Sequence, residues 1–125
     1  MKRKRKPKMN VKLLRRIQRW LMRLRHPEHF DMADYWHKGD CGTSYCIAGK
    51  ALQLCGYRFG HEEMVFNPKG QECGAIKPIA ESLLGLTPDE ADRLFFRTYW
   101  PYRFSSDPES AAERIEHFIN TGGKE

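Results

Sequence analysis

"NVKLLRRIQRWLMRLR", Asn10 to Arg25, carries the strongest structural signal in the chain. Its apolar residues recur three or four positions apart, which is the spacing that places side chains on one face of an α-helix. Basic residues occupy the other face, and Asn10 is a favoured helix N-cap. The pattern predicts an amphipathic helix that starts after Asn10 and ends near Arg25, before Pro27. The apolar face consists of Leu13, Leu14, Ile17, Trp20, Leu21 and Leu24.

Caps and apolar spacing predict further helices downstream. One is expected to begin at Thr43 or Ser44 and to run to about Leu54, with Gly56 in place to terminate it, and another is expected to be ended by Gly85. Thr87 and Glu90 have the spacing of a capping box. The segment 64–75 contains a turn signal and predicts one small hairpin. We therefore expect a mainly α, compact single domain of about five helices over 10–125, preceded by a disordered basic tail over 1–9.

Charge is divided unevenly along the chain. The 125 residues carry a net charge of +6, but residues 1–25 hold twelve Lys or Arg and no acidic residue. The remaining residues hold ten basic and sixteen acidic side chains, so the body has a net charge of −6. Such a split favours a polyanionic partner for the basic N-terminal segment, or docking of this segment on the acidic body that follows it. A second protein partner for the acidic body is also compatible with it.

The basic tail over 1–9, called the basic arm below, and the basic face of the first helix together predict nucleic-acid binding with little sequence preference. Lys and Arg on one helix face suit contacts with phosphates, which carry no sequence information. A solubilising tail and a membrane-surface or calmodulin-like partner remain alternatives for this segment. The predicted binding residues are Lys2, Arg3, Lys4, Arg5, Lys6, Lys8, Lys12, Arg15, Arg16, Arg19 and Arg23.

Cellular setting follows from what the sequence lacks. No apolar run reaches the roughly 18 residues of a membrane span, and no signal-peptide core follows the basic N-terminus. The four cysteines are therefore expected to be reduced. We expect a cytoplasmic protein, or a nuclear one if the host is eukaryotic.

The cysteine stretch "DCGTSYCIAGKAL", Asp40 to Leu52, allows three interpretations. A structural one has Gly42 in a tight turn, Thr43 or Ser44 as the helix cap, and the cysteines in the core. A catalytic one uses Cys46 or Cys41 as a nucleophile, activated by a helix N-terminus, with His37 or His61 as the base. The Cys-Gly-Thr string resembles, over a few residues, the Cys-Gly-Ser-Cys of papain-like proteases. A non-enzymatic binding protein is the favoured interpretation, and a cysteine-dependent hydrolase or transferase and a protein-binding inhibitor are the alternatives.

Zinc binding is the third interpretation of the cysteine stretch. His37, Cys41 and Cys46, with Cys73 from the predicted hairpin, provide four side chains of the types that bind zinc. Their spacing lacks the paired Cys-x-x-Cys knuckles of common zinc modules. The expectation is therefore a protein without a cofactor, with zinc as the alternative.

The same stretch resembles a signature of small uncharacterised bacterial and phage proteins. The signature reads Cys-Gly-Thr-x-x-Cys-x-Ala-Gly-Trp, and Lys50 stands at the tryptophan position here. "NVKLLRRI" and "LLGLTPDEADRLF" also resemble that group, so the similarity covers about residues 10–119. The resemblance implies no established reaction and carries no catalytic residue over to this chain.

Overall fold

The computed structural model describes residues 8–32, 35–39, 42–60 and 64–125. Within these ranges the chain forms five α-helices, two short antiparallel sheets and two single-turn 3-10 helices. The mainly α fold expected from the sequence is confirmed. The helices are α1 (Val11–Met22), α2 (Ile47–Leu54), α3 (Ile76–Leu84), α4 (Pro88–Phe95) and α5 (Pro108–Asn120).

Helix α1 has the predicted cap and the predicted apolar face. The Asn10 Oδ1 accepts a hydrogen bond from the Leu13 N–H at 3.0 Å. Leu13, Leu14 and Ile17 are buried, as expected from their spacing. The helix ends at Met22, about one turn earlier than predicted, and Pro27–His29 then form a 3-10 turn.

Helices α1 and α5 run antiparallel to each other. Arg15 contacts Glu116, whereas Gln18, further along α1, donates to the carbonyl oxygen of Ala112, earlier on α5. The C-terminal end of α1 therefore lies near the N-terminal end of α5. Helix α2 occupies the interior, with every residue from Ile47 to Leu52 buried, and packs on α3.

The helix predicted to begin at Thr43 or Ser44 begins later, so that prediction is wrong in its start. Strand β2 (Gly42–Tyr45) occupies those positions and pairs antiparallel with β1 (Trp36–Gly39). Helix α2 starts only at Ile47, and its N-cap is Cys46. Antiparallel pairing with β1, the strand that directly precedes it in the chain, holds this segment extended, and the cap signal at Thr43 and Ser44 does not indicate that pairing.

The predicted hairpin is present and has a third strand. Strands β4 (Val65–Phe66) and β5 (Glu72–Cys73) pair antiparallel, and β3 (Arg58–Phe59) joins β4 on its other side. The Gly70 N–H donates to the Asn67 carbonyl at 2.8 Å, which closes the predicted turn. The sheet β1–β2 is a second hairpin, which the sequence analysis did not predict.

The predicted end of α3 and the predicted start of α4 are both confirmed. Gly85 ends α3 in the left-handed conformation, with φ of 63°. Thr87 and Glu90 form both hydrogen bonds of a capping box at the start of α4. Because these signals act within a few residues, they can be recognised without knowledge of the tertiary structure.

Candidate nucleic-acid interface

Four basic residues form a continuous stripe along the solvent side of α1. They lie at spacings of four, three and four residues, opposite the buried face. All four are exposed, and no carboxylate among the described residues forms an ion pair with them. At a rise of 1.5 Å per residue the stripe extends over about 16 Å. This stripe, called the α1 stripe below, consists of Lys12, Arg16, Arg19 and Arg23.

Arg15, also predicted as a binding residue, lies beside the stripe and contacts the body. Its Nη1 and Nη2 donate to the two carboxylate oxygens of Glu116 at 2.6 and 2.9 Å. The hydrogen bond between them raises the pKa of Arg15 and lowers the pKa of Glu116. Because the Arg15 guanidinium is already ion-paired with the Glu116 carboxylate, we expect it to bind a phosphate more weakly than the four cations of the α1 stripe.

The arm residues Lys2, Arg3, Lys4, Arg5 and Lys6 lie outside the described residues. Description of the chain begins at Lys8, which is exposed. A Cβ at Gly85 would lie 1.9 Å from the carbonyl oxygen of Lys8, and one at Gly123 would lie 3.2 Å from the Cε of Met9. The chain therefore enters α1 against the body, between the end of α3 and the residues that follow α5.

Trp20 belongs to the core side of α1 and not to the stripe. Its ring packs edge-on against Phe30, with ring centroids 6.0 Å apart. The Nζ of Lys50 lies 4.4 Å from the Trp20 ring centroid and 5.0 Å from that of Tyr45, within cation–π range. Burial lowers the pKa of Lys50. Lys50 is thus a buried cation in contact with two aromatic rings.

Cys46 is a buried helix cap. Its Sγ accepts from the Gly49 N–H at 3.5 Å, and the side chain is 2% exposed. Burial raises the pKa of the thiol to about 11, although hydrogen bonds from backbone N–H groups oppose that effect. A nucleophilic thiol needs a lowered pKa and access to substrate. The structural role of Cys46 is therefore better supported than the catalytic one.

The histidines and the other cysteines of the catalytic and zinc interpretations are only partly described. Cys41 and His61 lie outside the described residues, and of His37 only the backbone, in β1, is described. The Sγ of Cys73 donates to the carbonyl oxygen of Val65 at 3.4 Å. Across the described parts of the chain, no group of three or more His, Cys, Asp or Glu is placed to hold a metal ion.

The structure also reveals a surface that the sequence analysis did not single out. Between α4 and α5, exposed Arg97 and Arg103 flank exposed Tyr99 and Tyr102. The signal was present in the letters "FRTYWPYRF", where aromatic and basic residues interleave. Because Trp100 and Phe104 in the same string are buried, the letters alone do not tell which aromatic residues reach solvent.

Comparisons with protein-family models, with curated proteins and with solved structures return no match for this chain. The resemblance to the Cys-Gly-Thr-x-x-Cys signature therefore stays a prediction. Among the described residues, none of the helices has the length and apolarity needed to cross a membrane.

Proposed function

We propose that this protein is a non-enzymatic binding protein that contacts nucleic acid, or a chemically similar polyanion, through its basic arm and the α1 stripe. The observation that carries the proposal is the stripe itself, four exposed cations without an ion-paired carboxylate among the described residues. Apolar packing on the opposite face of α1 fixes the helix, so the cations are presented on a rigid support. We place this binding inside the cell, where the free thiols of Cys46, Cys55 and Cys73 would persist.

Little sequence preference is expected from such a surface. Guanidinium and ammonium groups on one helix face reach phosphates, which are the same at every position of a nucleic acid. Each phosphate neutralised by the protein releases condensed counterions. Four contacts from the stripe would give a slope of about −3.6 in log affinity against log salt on duplex DNA, and the arm would add to it.

The test is fluorescence anisotropy with labelled oligonucleotides at several salt concentrations. The double variant Arg16→Gln/Arg19→Gln removes two stripe charges, and Lys69→Gln/Lys124→Gln removes two exposed charges elsewhere. We expect the first variant to bind about tenfold more weakly or worse, with a salt slope reduced by about 1.8. The second should bind like the wild-type protein.

A version lacking residues 1–7 measures the contribution of the arm separately. Weaker binding with the stripe intact would assign part of the affinity to the arm. Equal loss of affinity in both double variants would indicate a nonspecific effect of net charge and contradict a defined interface. Absence of binding at low salt by the full chain would refute the proposal.

A further inference from the structure

The segment between α4 and α5 presents two tyrosines on a firmly anchored turn. Tyr99 is 60% exposed and Tyr102 is fully exposed, with a relative accessibility of 108%. The buried Trp100 anchors the turn, because its indole N–H donates to the carbonyl oxygen of Leu94 at 2.9 Å. Segment 96–105 is called the aromatic turn below.

A buried cation lies beneath the aromatic turn. The Arg114 side chain on α5 is 0% exposed, and its guanidinium carbon lies 5.9 Å from the ring centroids of both Trp100 and Phe104. It donates one hydrogen bond, to the carbonyl oxygen of Arg93 at 3.0 Å. Its Nε and Nη1 have no hydrogen-bond partner among the described residues. The charge contributes a positive potential under this surface, and such a potential favours an anionic ligand.

Two further cations flank the tyrosines on the surface. Arg97 and Arg103 are exposed and form no ion pair with a carboxylate among the described residues. The Arg103 guanidinium lies 4.6 Å above the Phe104 ring, and its Nη2 is 3.0 Å from the Nδ1 of His117. Stacking on a ring fixes the plane of the guanidinium while leaving its remaining N–H donors directed to solvent.

A cavity of about 320 Å³ adjoins the turn. Phe30, Asp31 and Met32 line it from the segment that follows α1, and Arg97 and Ser106 line it from the other side. Its volume is at the lower end of the range for small-molecule sites. Two apolar and three polar side chains line the cavity.

The cavity and the aromatic turn lie at the end of the molecule to which the α1 stripe leads. Because α1 and α5 are antiparallel, the residues before α5 are near the C-terminal end of α1. Arg23 and Arg25, both exposed, are the last basic residues at that end. The stripe and the aromatic turn therefore lie toward the same end of the molecule.

We propose that the aromatic turn is a base-stacking site for single-stranded nucleic acid, with Tyr99 and Tyr102 stacking on unpaired bases and Arg97 and Arg103 contacting the adjoining phosphates. The inference rests on the proposed function and specifies its ligand. Stacking requires the faces of the bases, which a duplex keeps covered by neighbouring base pairs. Interleaved aromatic and basic side chains are the combination that single-strand binding proteins use.

The experiment compares an oligonucleotide with its base-free backbone. Labelled single-stranded oligo-thymidine and an abasic strand of equal length are titrated with wild-type protein, Tyr99→Ala/Tyr102→Ala and Tyr99→Phe/Tyr102→Phe. We expect the alanine variant to bind oligo-thymidine at least tenfold more weakly and the abasic strand as tightly as the wild type does. The phenylalanine variant, which keeps both rings, should bind like the wild type. Both positions are exposed, so circular dichroism should show an unchanged fold.

Different outcomes separate this inference from the function on which it rests. Equal affinity of the alanine variant and the wild type for oligo-thymidine would refute base stacking and leave phosphate binding in place. Absence of binding to either strand by the wild type would refute the proposed function itself. If sedimentation showed a wild-type dimer that the alanine variant lacks, with oligo-thymidine affinity unchanged, the turn would be a protein interface and the inference would be wrong.

Discussion

Gly49 shows how a single residue type can report a distant contact. A glycine inside a helix costs about 1 kcal/mol relative to alanine, so its presence in α2 indicates a neighbour that approaches closely. The structure confirms the approach, since a Cβ at Gly49 would lie 1.7 Å from the carbonyl oxygen of Tyr35. No sequence pattern links positions 35 and 49. The identity of this neighbour, the backbone of Tyr35, could therefore not be predicted.

Cys46 shows the limit of cap rules at the same scale. Ser, Thr, Asp and Asn lead the N-cap preferences, so Thr43 and Ser44 were the expected caps. The thiol of Cys46 takes that role instead, in an apolar setting where a weak sulfur acceptor suffices. Two effects on the pKa of Cys46 oppose each other: burial raises it, and hydrogen bonds from the backbone N–H groups at the helix N-terminus lower it. Burial is the larger effect because α2 lies in the interior.

We expect Cys46 to be the slowest of the described thiols to alkylate. With a pKa of about 11, roughly one molecule in a thousand carries the thiolate at pH 8, and the side chain is buried as well. Iodoacetamide labelling followed by peptide mass spectrometry reads each cysteine separately. Cys55 and Cys73, both partly exposed, should label faster, and all should label alike in urea. Rapid labelling of Cys46 at pH 6 would restore the catalytic interpretation.

Among the elements, the accuracy of prediction follows the range of the interactions. Helix α1, the end of α3 and the start of α4 are specified by residues within one or two turns, and they were predicted from those residues. The hairpin β1–β2 depends on pairing of Trp36 with Tyr45 and on the bridge between Phe30 and Tyr45. Neither pairing is indicated by cap residues or helical spacing, so the sequence predicts a helix start at Thr43 or Ser44, where β2 lies.

The contact between α1 and α5 gives a pH-dependent contribution to stability. Arg15 lowers the pKa of Glu116, so the pair stabilises the fold above the ordinary carboxyl pKa of about 4.3 and loses this effect as the pH falls through the lowered value. We expect Glu116→Gln to unfold at a slightly lower urea concentration than the wild type at pH 7. The difference should narrow as the pH falls from 7 to 3, because protonation of Glu116 removes the ion pair.

Glu113→Gln is the matched control for this pair, since it makes the same charge change on an exposed position of α5. Its urea midpoint should follow the wild type at both pH values. A difference for Glu116→Gln that persists unchanged at pH 3 would show that the ion pair is not its cause.

For the whole molecule, the basic arm and the body are joined at a defined place. Asn10 donates its backbone N–H to the Leu84 carbonyl at 2.7 Å and its side-chain amide to the Leu83 carbonyl at 3.0 Å. The uneven distribution of charge can be read from the sequence alone, and the proposed role of the basic arm rests on it. Composition did not show that Arg15 would be matched by Glu116, or that the tyrosines of the aromatic turn would reach solvent.

Truncation should separate the arm from the body. A version lacking residues 1–7 should unfold at the same urea concentration as the full chain, because it keeps the described contacts of Lys8, Met9 and Asn10 with the body. A version lacking residues 1–10 loses the Asn10 cap and its bonds to α3, and its free energy of unfolding should fall by about 1 kcal/mol or more. Urea titration followed by circular dichroism measures both. Equal stability of the two versions would contradict the structural role of Asn10.

The packing of Met9 beside Gly123 has a topological consequence. Since the residues that lead into α1 meet those that follow α5, a few linking residues could join Gly123 to Met9 and close the body into a ring. The ring could be reopened between Lys69 and Gly70, an exposed turn with open space around Gly70. Such a circular permutant would keep all five helices while leaving out residues 1–8, which contain the basic side chains of the arm. The order of the elements along the chain is therefore separable from their arrangement in space.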